Sequence, residues 1–294
     1  MRITSFTIFN QLTRSLNSNI RDMYRLSNSL ATGKKINSPS DDTSGMMKAM
    51  DYKVSINEIE QYRKNINEAE SRLGFTDSTL SSVSNALIRA RELALKASNG
   101  TETAGSRAAI AAEVDDLRDE ILKMSNTKFR NRFLFSGFKT DTTAFDPAAG
   151  YAYQGDSGEI NLKIDKGVTM AINIPGDTVF GSGPSSVMAV LDDLYNNLTN
   201  NSLTGIQTAL TEIDTALDQV NSVRADIGGR LNHLEGLRSN LDDRDLTWKT
   251  YLSDTEDTDI AETVSEISKI EVALQSLRQS GAEILSQSLL NFLR

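Results

Sequence analysis

The segment 33–42, Gly-Lys-Lys-Ile-Asn-Ser-Pro-Ser-Asp-Asp, carries two lysines at one end and two aspartates at the other. Gly33 followed by Lys34 is a pair that nucleotide loops use to cradle phosphate. That loop also needs an earlier glycine and a Ser or Thr directly after the lysine, where Lys35 stands here. The same residues suit helix ends better. Gly33 can take the left-handed conformation that closes a helix, and Lys34 and Lys35 then lie beside its negative dipole end. Ser38 reads as an N-cap, Pro39 fits the first helical position, and Asp41 at the third can accept free backbone amides. With Asp42 completing the acidic end, Gly33, Ser38, Pro39, Asp41 and Asp42 mark a polar joint between two helices.

The run Ser-Asp-Thr-Glu-Asp-Thr-Asp, 253–259, raises calcium binding. A calcium loop wants glycine sixth and glutamate twelfth, but counting from Asp254 those positions hold Asp259 and Ser265. Ser253 and Glu256 have capping-box spacing, so the run reads as an acidic helix start that mirrors the first joint. His233 is the only histidine, with no orienting group that the sequence places beside it. The carboxylate pairs Asp115–Asp116 and Asp242–Asp243 are sequence neighbours, which diverge on a helix surface. Met46, Met47 and Met50 read as core filling. No catalytic, metal or cofactor site is expected, and an enzyme is the poorer class.

The elements that must carry the joints are helical. Of 294 residues, 38% are hydrophobic and only 6% aromatic, thin for one large globular core and better suited to extended helices. A formal net charge of −9 argues against nucleic-acid binding. The absence of cysteine removes disulfides and thiolate chemistry. No window approaches the roughly 20 apolar residues of a membrane span, and the N-terminus lacks the unbroken apolar core of a cleavable signal.

Ile3, Phe6, Phe9, Leu12, Leu16, Ile20, Met23, Leu26 and Leu30 fall at steps of three or four, one stripe on a long first helix. Ile260, Val264, Ile267, Ile270, Leu274, Leu277, Gly281, Ile284 and Leu289 repeat the pattern at the other end. Residues 1–40 hold six basic groups against one acidic, and 254–294 three basic against eight acidic, so the two ends suit each other as partners. Packing of each stripe on a central core would produce the same periodicity. A further helix is expected from about Ser40 to Asn99, with a flaw at Gly74, and another from Ser106. Phe133, Leu134, Phe135 and Phe138 then call for burial. Between Gly137 and Gly183 the pattern turns to alternating or β-branched runs punctuated by Gly-Asp and Pro-Gly turns, a small β insert, before helical spacing returns at Val187.

The stretches 30–42 (LATGKKINSPSDD), 90–101 (ARELALKASNGT), 132–140 (RFLFSGFKT), 153–160 (YQGDSGEI), 254–262 (DTEDTDIAE) and 288–294 (SLLNFLR) resemble the flagellin-related axial proteins of the bacterial flagellum, across essentially the whole chain. The third, followed by a small β insert, looks like the hook-filament junction branch; a filament-forming flagellin is the alternative. The resemblance implies a mainly α fold, with residues 1–42 and 254–294 as an inner coiled-coil domain. Residues 43–136 with 185–253 would form a helical bundle, and 137–184 an outward β-rich domain. It implies a structural layer joining the hook, through hook-associated protein 1, to flagellin, by self-association in a ring. The assembly seam would then be Ile3, Phe6, Phe9, Leu12, Leu16, Ile20, Met23, Leu26 and Leu30 against Ile267, Ile270, Leu274, Leu277, Ile284 and Leu289. Type III export without a cleaved signal, helped by a flagellar export chaperone, follows from the same resemblance. So does a side expectation: Arg89 and Leu93 match positions that flagellins present to the vertebrate innate-immune flagellin receptor.

Overall fold

The computed structural model describes residues 5–292, with side chains over 7–283. Of the expected seam, Ile3 and the side chains of Phe6, Ile284 and Leu289 lie outside the described residues. In chain order the elements are α1 (Ser5–Thr32), α2 (Thr43–Ala97), α3 (Ala104–Ser125), β1 (Lys128–Phe129), β2 (Arg132–Phe133), β3 (Phe145–Asp146), β4 (Ala152–Tyr153), β5 (Asn161–Asp165), β6 (Val168–Ala171), α4 (Gly176–Phe180), α5 (Val187–Thr199), α6 (Leu203–Glu256) and α7 (Ile260–Phe292). The strands pair as three separate antiparallel hairpins, β1–β2, β3–β4 and β5–β6. The expected order of helices, strands and helices is therefore observed.

The contacts divide the chain into two compact units, Met1–Glu58 with Asp243–Arg294, and Ile59–Asp242. In the second, the buried residues Ile59, Ile66, Leu73, Leu80 and Leu87 of α2 recur every seven positions. Ile206, Ile213, Val220, Ile227, Leu234 and Leu241 of α6 do the same. A seven-residue repeat keeps one seam turned toward one partner along a helix. The two helices run antiparallel there, as the pairs Arg63–Asp242 (2.5 Å), Arg238–Glu70 (2.8 Å), Arg224–Asp77 (2.9 Å) and Arg91–Asp214 record. The α3 and α5 helices pack on each other. Thr103 Oγ1 caps α3 by accepting from Ser106 N at 3.2 Å, and Ser186 Oγ caps α5 by accepting from Ala189 N at 3.2 Å.

Gly74 does not interrupt α2. A methyl group there would meet nothing within 4 Å, so the position costs only the usual glycine entropy. The middle region closes on an aromatic core: Phe180 meets Phe135 edge-on at 5.2 Å and Phe145 at 5.6 Å, and all three are buried. Tyr153 OH lies 2.8 Å from Phe135 O and 2.9 Å from Asp156 O, with burial pushing its pKa up to about 12. Phe138, expected inside, is 62% exposed. One face of its ring lies against Gly158, where no side chain would fit, and the rest faces outward.

Candidate functional site

The described residues of the first unit bring the chain ends together. Helix α1 packs along α7. A methyl group at Gly281 would stand 3.0 Å from Leu12 Cδ2, so the missing side chain is what admits Leu12. Leu26 and Leu274 are buried; Leu12, Leu16, Ile20, Met23, Ile267, Ile270 and Leu277 are half-buried. Ile8, Phe9 and Leu30 on α1, and Ile260, Val264 and Val272 on α7, are exposed, Val272 by 65%. Two helices alone cannot cover stripes this wide, and apolar surface continues past their mutual contact.

The joint 33–42 is tied to the turn between α6 and α7. Gly33 has φ +72° and ends α1, as its type and place predict. Its carbonyl accepts from Thr258 N at 2.9 Å, and Lys35 N donates to Glu256 O at 2.7 Å, with Lys34 and Asp257 paired as an antiparallel bridge. The Glu256 side chain, almost fully buried, receives Lys34 Nζ and, at 2.5 Å, Lys53 Nζ. Burial raises its carboxyl pKa, but the hydrogen bonds and charges of the two lysines outweigh that and hold it below the ordinary value. Lys35 Nζ donates to Asp254 O at 2.7 Å.

Asp41 Oδ2 accepts from Ser38 N at 2.8 Å and from Asn37 N at 3.0 Å, and these backbone bonds lower its pKa. The reach-back from Asp41 to Ser38 is that of a capping box, yet α2 itself starts three residues later than Ser40. Residues Ser38 to Asp41 form a turn closed by Asp41 N on Ser38 O at 3.0 Å, so Pro39 occupies that turn and Asp42 O accepts the first helical bond, from Met46 N at 2.9 Å. The second joint also starts its helix later than expected. Ser253 and Glu256 belong to the last turn of α6, and Asp259 Oδ1 caps α7 by accepting from Ala261 N at 2.9 Å and Glu262 N at 3.0 Å.

One expectation about side chains changes. Met47 and Met50 are 59% and 55% exposed, and only Met46 is half-buried, so these methionines do not fill a core. Val54 and Leu246 are also exposed, while Tyr52, Trp248 and Tyr251 form a ring cluster with centroids 5.6 to 5.9 Å apart. Leu93 is buried, and Arg89, whose side chain is 51% exposed, is held by Glu113 and Glu92. His233 is exposed on α6. Among the described residues no group of three or more His, Cys, Asp or Glu could hold a metal ion, and no helix is long and apolar enough to cross a membrane.

Fold and site define a class: a long-helix protein whose first and last segments make one unit, with a small hairpin region inserted in the second. The family model for the bacterial flagellin N-terminal helical region matches residues 3–140, and that for the C-terminal helical region matches residues 210–293. The chain belongs to the bacterial flagellin family. It is 28% identical to flagellar hook-associated protein 3 of Escherichia coli (strain K12) over 98% of both chains. It is also 28% identical to a flagellin of Listeria innocua over 98% of this chain and 96% of that one. A solved structure from Vibrio parahaemolyticus, described as a flagellar hook-associated protein, superposes with a TM-score of 0.70 at 29% identity, covering 74% of this chain and all of that one.

Proposed function

We propose that this chain is the junction subunit of a bacterial flagellum, a structural protein without catalytic activity that forms the layer between the hook and the flagellin filament. The observation that carries the reading is the likeness to hook-associated protein 3 along 98% of both chains, together with the superposition on a hook-associated structure. Hook-associated protein 1 would lie on the hook side, flagellin on the other, and copies of this chain around the layer. Residues 1–42 and 254–294 would form the inner coiled-coil domain, 43–136 with 185–253 the bundle, and 137–184 the outward domain. The joint at Gly33, Ser38, Pro39, Asp41 and Asp42 would connect inner domain to bundle.

The apolar surface left open on α1 and α7 supports assembly through the chain ends. Covering each large side chain in a seam contributes about 1.5 to 3 kcal/mol before ordering costs. Short helical pairs gain most of their stability from such packing. The seam would be Phe9, Leu12, Leu16, Ile20, Met23, Leu26 and Leu30 against Ile267, Ile270, Leu274 and Leu277, extended by Ile3, Phe6, Ile284 and Leu289. Export through the flagellar apparatus without cleavage, with a dedicated chaperone, belongs to the same proposal.

The test is a strain lacking the gene, examined by electron microscopy with flagellin in the medium quantified. Intact hooks without filaments, and flagellin lost to the medium, are expected. Missing filaments with no secreted flagellin would instead make this chain the flagellin, the reading that the Listeria innocua match favours. Normal swimming would overturn both.

A further inference from the structure

On α2, Arg72 is only 7% exposed, yet among the described residues no acceptor pairs with its Nε or Nη2, both sealed from solvent. Glu68, one helical turn earlier, is its natural partner. That carboxylate is taken by Arg130, at the tip of the β1–β2 hairpin. The hairpin geometry explains the competition. Arg130 and Asn131 have φ of 48° and 66°, the two left-handed positions of a tight two-residue turn. The turn holds the Arg130 guanidinium 5.3 Å from the centre of the Phe129 ring, which in turn lies 5.6 Å from Phe75 of α2.

Arg132, paired with Phe129 across the turn, is exposed and meets no carboxylate among the described residues. Burial lowers the Arg72 pKa, Glu68 opposes the shift, and the charge of Arg132 adds to it, so the guanidiniums feel one another. Lys128 adds a fourth cation, 4.4 Å above the Phe133 ring. Arg72 and Arg130 thus share the carboxylate of Glu68, while Arg132 adds a further positive charge beside Arg72. A buried cation short of a counter-ion is costly, and a carboxylate placed on the exposed Arg132 would offset the neighbouring charge that Arg72 feels.

The same unit carries the opposite surplus on α3 and α5. Arg118 binds Asp115 (2.6 Å), Asp119 (3.1 Å) and Asp192 (2.7 Å). Asp116 and Glu120, one turn apart and exposed, form no ion pair among the described residues. We propose that in the assembled layer Asp116 and Glu120 of one copy dock on the exposed guanidiniums of Arg130 and Arg132 on the next copy. This rests on the junction-subunit reading. Because the two surfaces differ, the contact is head-to-tail and propagates from copy to copy, closing a ring or continuing a helix.

The absence of cysteine in the chain allows a clean test. The full-length chain carrying both Arg132→Cys and Glu120→Cys is returned to the deletion strain, and isolated flagella are oxidised. A disulfide-linked ladder of this chain is expected from the double variant and none from either single one. Separately, Arg132→Glu or Glu120→Arg should each lower incorporation about tenfold, and the two together should restore it, because opposite charges face each other again. The pairing is overturned if wild-type chain is present in flagella but the cysteine pair gives no ladder, or if the double charge reversal incorporates no better than the singles. Absence of the wild-type chain from flagella would overturn the junction reading as well.

Discussion

Replacing Glu256 by glutamine removes the charge that joins the two joints while keeping the shape of the side chain. The two lysine ion pairs are close contacts to a charged group, of the kind that contributes about 1.5 to 3 kcal/mol each. Much of that offsets the burial of a carboxylate that is only 4% exposed. Lys34 and Lys53 keep 43% and 42% of their side-chain surface, so once released they hydrate rather than remain as stranded buried charges. The net loss should be about 2 kcal/mol, an increase of about 30-fold in the local opening constant. The amides to follow are Lys35, bonded to Glu256 O, and Thr258, bonded to Gly33 O, by hydrogen exchange in the full chain. The folded-state pKa of Glu256 lies below its ordinary value, so its stabilisation is complete above the unfolded pKa and is lost as pH falls through the folded one. Wild type and Glu256→Gln should therefore differ fully at pH 7 and converge in acid, once the pH has fallen through the lowered folded-state value. Equal protection at neutral pH, or a difference that persists unchanged in acid, would refute this account of the joint.

Other substitutions test separate parts of the structure. Gly74→Ala should stabilise α2 by about 0.5 to 1 kcal/mol, read as a higher urea midpoint, since the added methyl group meets nothing. Gly137→Ala should cost about 2 kcal/mol or more, because φ is +65° and the new Cβ would stand 2.0 Å from Asp156 O; retained wild-type stability in denaturant titration would contradict that contact. Gly281→Leu should separate α7 from Leu12 and abolish incorporation into flagella while leaving the circular-dichroism transition of the rest in place. Tyr153, whose pKa is raised to about 12, stabilises the fold fully below the unfolded tyrosine value and less as pH rises toward 12. Tyr153→Phe should cost about 1 kcal/mol at neutral pH and flatten stability against pH above 10, measured by urea titration.

Much of the helical plan was legible because a stripe at steps of three or four leaves one reading for a long segment. The joints were legible because Gly33, Pro39 and Asp41 each have a narrow conformational use. Helix starts were harder. Ser38 and Ser253 have the right type and spacing for caps, but Asp42 and Asp259 lie where the chain has already turned, and only tertiary pairing of 33–35 with 256–258 selects between them. The seven-residue repeat of α2 was hidden by Ala69 and Thr76, small or polar residues on a buried seam. The β1–β2 hairpin has two residues per strand and arginine at a left-handed position, too short and too atypical for a pattern to find. Exposure of Met47 and Met50 follows from which neighbours are present, which periodicity does not encode.

The bond from Lys35 to Asp254 spans 219 positions of sequence. Ribosomes release the first helix long before the last one exists, so a nascent chain carries α1 without its companion for nearly the whole of synthesis. Closure across so long a loop is slow, and contacts of this kind dominate folding time. A chain cut short before α7 would leave Leu12 and Leu26 uncovered. The connection between the two joints thus waits for the turn that follows α6: it can close only once residues 254–258 have been made.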